Sequence, residues 1–150
     1  MIFVECDSDK ALVKSLGIKR KHITHAFSKG NVCNQLEENT DCKGLIDEDP
    51  NSIQPHYIED FKLLATENGI KQFHQKTSNN FLIMLCPRLE NWVLSAAKQA
   101  NIDISKFSLP DAPSLLHRVI NTKIRSFEIL LDEIKGSSIM LKTLENFLKS

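Results

Sequence analysis

Apolar positions follow two rhythms along this chain. Ile2-Phe3-Val4 is a short β-type run closed by Glu5, and residues 9–16 then switch to helical spacing, with Ala11, Leu12, Val13 and Leu16 facing inward. Gly17 is a helix stop. Residues 23–27 read as a second strand, Ser28-Lys29-Gly30-Asn31 as a turn, 32–38 as a helix and 42–46 as a third strand. An acidic turn follows, and the stripe Ile58, Phe61, Leu64 and Ala65 predicts a helix over 57–66.

The second half departs from this alternation. Residues 70–74 and 81–85 are β-type runs on either side of the polar turn Thr77-Ser78-Asn79-Asn80, which predicts a hairpin and an antiparallel sheet edge. Pro87 opens a helix whose inner face is Leu89, Trp92, Val93, Ala96, Ala97 and Ala100. Past the proline-marked connector at 108–114, one long helix is predicted over 115–134, and a last one over 139–148 after Gly136. Strand–helix alternation with a helical end predicts an α/β fold: a Rossmannoid sheet, mostly parallel, of about four to five strands flanked by helices. Residues 1–105 form the α/β part and 106–150 a helical extension that caps it or makes a dimer surface.

Length and charge narrow the picture. A chain of 150 residues with 41% hydrophobic content buries a sizeable core in one domain. Nineteen basic and nineteen acidic residues cancel, so polyanion binding would need a local patch or a metal rather than a global field. No apolar run approaches the roughly 20 residues of a membrane span. Charge follows Met1 too closely for a signal peptide, which makes the cytoplasm the expected compartment. Cys6, Cys33, Cys42 and Cys86 show no paired spacing and read as free, mostly buried thiols.

The candidate chemistry is acidic. In parallel sheets, ligands bind beyond the carboxyl ends of the strands, where Glu5 and the Asp47/Asp49 pair both fall. In extended backbone Asp47 and Asp49 would face the same side, and two such carboxylates repel unless a cation lies between them. Glu90 falls in the first turn of its helix, a place where an acid also complements the helix dipole.

Several of these segments resemble one family. Phe3-Val4-Glu5-Cys6-Asp7-Ser8-Asp9 is similar to the first motif of the TOPRIM (topoisomerase–primase) fold, a strand ending in Glu with an Asp four residues on. Ser28-Lys29-Gly30-Asn31-Val32 resembles the Gly/Lys turn of small members, and Leu45-Ile46-Asp47-Glu48-Asp49 the strand-terminal Asp-x-Asp motif. Cys86-Pro87-Arg88-Leu89-Glu90-Asn91-Trp92 looks like the later helix start of the OLD-type (overcoming lysogenization defect) nuclease branch. The likeness covers residues 1–100, and Cys6 departs from it where the family has glycine.

The resemblance implies phosphodiester hydrolysis supported by Mg²⁺ or Mn²⁺, hard cations that prefer carboxylate oxygens. On that reading Glu5, Asp47 and Asp49 hold the first metal, Asp9 and Glu90 complete a second site, and Lys29 or Arg88 neutralises phosphate charge. Nucleic acid is the implied partner, DNA ahead of RNA, with a separate ATPase subunit and no membrane; a homodimer would use the C-terminal helices. Two other readings stay open. One is a TOPRIM-like assembly subunit without turnover; the other is a receiver-like phosphoacceptor using Asp7, Asp9 and Asp47. Arg118 and Arg125 on one helix face, or Lys19-Arg20-Lys21, would contact phosphates.

Overall fold

The computed structural model describes residues 1–150. Six strands form one mixed sheet: β1 (Ile2–Val4), β2 (Ile23–His25), β3 (Lys43–Asp47), β4 (Lys62–Glu67), β5 (Ile70–Gln75) and β6 (Asn80–Leu85), in the order β2-β1-β3-β6-β5-β4. The first four in that order are mutually parallel, while β5 and β4 run antiparallel at one edge. Six α-helices accompany them: α1 (Asp7–Ser15), α2 (Lys29–Glu38), α3 (Leu89–Gln99), α4 (Pro113–Val119), α5 (Ile124–Ile134) and α6 (Ile139–Lys149). The fold is α/β with a six-stranded, mostly parallel sheet, one strand more than the sequence suggests.

The period-2 alternation of the strands divides the core in two. Ile2, Val4, Leu45, Ile83 and Leu85 point to one face and join α1, α3, α5 and α6 in a core of 27 buried residues. Phe3, Ile46, Leu82 and Met84 point to the other and pack with α2 in a smaller core of nine. The C-terminal stripe, including Phe127, Leu131, Ile134, Leu144 and Leu148, lies inside the larger core. The helices of 106–150 thus cap the same sheet as the rest of the chain. None is long and apolar enough to cross a membrane.

Two predicted elements are overturned. Residues 57–66 are not a helix: a 3₁₀ turn at His56–Asp60 leads into β4. Asn68-Gly69 decides this, because both residues take positive φ (50° and 73°) and close a two-residue hairpin onto β5. The predicted 115–134 helix breaks at a 3₁₀ turn, Ile120–Thr122, where the Thr122 hydroxyl donates to the Val119 carbonyl at 2.8 Å. Arg118 and Arg125 therefore sit on different helices. Helix α2 also begins three residues early, with Ser28 as its N-cap accepting from the Asn31 N–H at 3.0 Å, so Lys29, Gly30 and Asn31 belong to its first turn.

Trp92 joins α3 to the new hairpin. Its Nε1 donates to the Asn68 carbonyl at 2.9 Å, and its ring lies against Gly69. Trp92→Phe keeps most of the ring but strands that carbonyl. An equilibrium urea titration is expected to show a loss of about 1 kcal/mol, and no change would mean that water replaces the donor.

Candidate functional site

The carboxyl ends of β1, β3 and β6 lie side by side, and so do the acids that leave them. Glu5 follows β1, and its Oε2 accepts the Asp47 N–H at 3.0 Å, which ties the two strand ends together. Asp9 sits in the first turn of α1, 2% exposed, with Oδ2 accepting the Cys6 N–H at 3.1 Å, half of a capping box. Asp47 ends β3, and its Oδ1 accepts the Leu89 N–H at 2.9 Å, so this carboxylate caps α3. Glu90, on the same helix, is 6% exposed at its side chain, and its Oε1 meets His117 Nδ1 of α4 at 2.9 Å.

Each of these four carboxylates is fixed through one oxygen and leaves the other free of any protein hydrogen bond. Glu90 Oε2 is the extreme case, a buried oxygen with no partner at all. The electrostatics match the crowding. Burial, and then the charges of Asp9, Glu5 and Glu90, push the Asp47 carboxyl up to about 8. Burial and the Glu5 charge push Asp9 up to about 7. Burial also raises Glu5, against the opposing pull of the Asp47 N–H. Glu5, Asp9 and Asp47 resist ionising together, and with Glu90 they bring hard carboxylate oxygens to one rim. As the side chains stand, no three of the acidic, histidine or cysteine groups already form a metal-ligand array.

Asp49 stands near enough for its charge to raise Glu5, but its oxygens are paired elsewhere. It takes positive φ (44°), so the backbone leaves the extended path after Asp47 and the two side chains part. Its oxygens meet Arg88 Nε at 2.9 Å and Lys29 Nζ at 3.5 Å. Lys29 is nearly buried and also donates to the Glu48 carbonyl and to Gln54 Oε1, both at 3.2 Å. Its three donors therefore fasten the acidic turn to the start of α2. Glu48 pairs instead with Lys71 of β5.

No family model, curated protein or solved structure matches this chain. The site's chemistry rests on its own geometry.

Beside the acids opens a cleft of about 390 Å³ with no hydrophobic lining, walled by Asp49, Ser52, Arg88, Glu90, Asn91, Ser114 and His117 among others. His117 is invisible as a site residue from spacing alone, because it lies 27 positions from Glu90 on a different helix. His25 meets Asp7 at 3.4 Å. Lys19-Arg20-Lys21 precedes β2, at the opposite rim of the sheet. Cys6, whose thiol burial pushes up to about 12, serves as the extended cap of α1 with φ −147°.

Proposed function

We propose that the chain is a divalent-metal-dependent nuclease of TOPRIM type, hydrolysing a phosphodiester at the carboxyl rim of its sheet. The observation that carries this reading is the set Glu5, Asp9, Asp47 and Glu90, each with an oxygen to spare, and one of those oxygens buried without a partner. These four side chains would hold Mg²⁺ or Mn²⁺. Bound there, the ion supplies an activated water and neutralises charge on the phosphodiester.

The chain's own groups do the rest. Arg88 is tethered through Nε to Asp49 and lines the cleft, which leaves its two terminal nitrogens to bind an anionic oxygen. Asp49 is thus the orienter of Arg88 rather than a ligand. Lys29, with its donors engaged, sets the position of the turn that carries Asp49. Glu5 Oε1 is the oxygen of that residue available to take a proton, since Oε2 is held by the Asp47 N–H. DNA ahead of RNA, a separate ATPase subunit and a homodimer belong to this same reading. A second reading, an assembly subunit without turnover, is favoured by one observation: each of the four carboxylates already serves a donor within the protein.

Calorimetry with Mn²⁺ separates them. Wild type is expected to bind, Glu90→Gln to bind at least about tenfold more weakly, and Asp49→Asn to bind like wild type. No heat at millimolar Mn²⁺ with the wild-type chain would sink the catalytic reading.

A further inference from the structure

Phe27 is the most conspicuous residue on this rim that the proposed chemistry leaves unused. It is 78% exposed, more than any other phenylalanine, tyrosine or tryptophan in the fold. Its φ is +78°, a region that bulky residues avoid and that native chains retain mostly at functional positions. The turn folds its ring back onto His25, with centroids 4.1 Å apart and planes 23° from parallel. Asp7 Oδ1, 3.4 Å from His25 Nδ1, steadies the supporting ring. The outer face of Phe27 is left open.

We infer that Phe27 is a stacking platform for an unpaired base of a single-stranded nucleic acid laid across the carboxyl rim. The inference rests on the phosphodiester reading for its substrate class. Its own support is placement. β2 pairs with β1 in parallel, Val4 opposite His25, and the Ala26 N–H continues the ladder onto the Val4 carbonyl at 2.8 Å. Ala26 therefore stands across from Glu5, and Phe27 is the next residue on the same rim. A base held there leaves its own backbone beside the acids. Duplex DNA keeps its bases stacked on one another, whereas a single strand offers a free π-face to any exposed ring.

The test is fluorescence anisotropy with a short labelled oligothymidylate, run both in Ca²⁺ and in chelator, beside an abasic strand and a duplex. Phe27→Ala and Phe27→Gly are expected to weaken oligothymidylate binding by about 5- to 150-fold, and Phe27→Trp to retain it. The abasic strand is expected to bind wild type and Phe27→Ala alike. Phe27→Gly, freed of the positive φ, is expected to melt higher than wild type, so its lost binding cannot be a folding defect. The inference is overturned if Phe27→Ala binds oligothymidylate as wild type does, if wild type does not bind it at all, or if duplex is preferred. Mn²⁺ calorimetry on the same variants reads the metal site separately. A chain that binds no Mn²⁺ yet loses oligothymidylate with Phe27 fails the nuclease reading and keeps this one.

Discussion

Asp47→Asn is expected to melt higher than wild type at pH 8 in chelator, and to lose Mn²⁺ binding and any nuclease activity. The sign follows from where the proton resides. Asp47 is raised from 3.8 to about 8 and Asp9 from 3.8 to about 7, chiefly by burial and then by neighbouring carboxylates. Between those limits the folded chain holds protons that the unfolded chain has released. The stability that these two groups contribute is therefore complete below about pH 4 and declines as pH rises toward 8. An asparagine keeps the Oδ1 acceptor for the Leu89 N–H, carries no charge, and offers an N–H to the neighbouring acids. The gain at pH 8 is on the order of 1–3 kcal/mol, with a flatter stability–pH curve. For wild type, Mn²⁺ at about 100 times its dissociation constant adds about 2.7 kcal/mol, whereas the Asp47→Asn variant is expected to show no such shift. Thermal melts at pH 5 and pH 8, with and without Mn²⁺, measure both effects. A variant that melts lower than wild type at pH 8 in chelator would remove the repulsive cluster from consideration.

Asn80→Leu is expected to destabilise the fold by about 3 kcal/mol. Asn80 is fully buried at the start of β6. Its Oδ1 accepts the Cys42 N–H at 2.9 Å, and its Nδ2 donates to the carbonyls of Leu36 at 2.7 Å and Asn39 at 2.9 Å. A leucine fills the volume but leaves the Cys42 N–H buried and unpaired, at about 1–3 kcal/mol, and removes a donor from the part-buried Asn39 carbonyl and from the Leu36 carbonyl, which keeps only the Asn39 N–H at 3.3 Å. For a chain of this size the melting point should fall by roughly 6–12 °C. Because these bonds join the end of α2 to the start of β3, the strand that ends in Asp47, Mn²⁺ affinity should fall as well. A shift below about 1 kcal/mol in urea would show that the three groups find water.

Asn80 also shows what the linear pattern conceals. In sequence it closes a polar run, Thr77-Ser78-Asn79-Asn80, and reads as turn. Only Cys42, 38 positions away, and the end of α2 make it a core residue. The acids divide in the same way. Glu5 and Asp47 were legible because each closes a short apolar run, and parallel strands bring such ends to one rim. The Asp47–Asp49 pairing was not, because it assumed extended backbone through a residue that adopts φ 44°. The 57–66 segment misled because its apolar spacing suits a helix over one stretch, while Asn68-Gly69 and the β5 partner select strand.

By itself, then, the chain's pattern determined the α/β class, the β1–β3 strand ends that carry Glu5 and Asp47, and the helical nature of α1, α3 and α6. These are local properties: periodicity, caps and turn residues act over a few positions and persist in any context. The tertiary structure alone decided the order β2-β1-β3-β6-β5-β4, the break between α4 and α5, the pairing of Asp49 with Arg88 and Lys29, and the reach of His117 to Glu90. The first two depend on which elements pack against one another, and the last two on which carboxylate lies nearest which donor. That competition is settled by distance in space, which the spacing of residues along a chain does not encode.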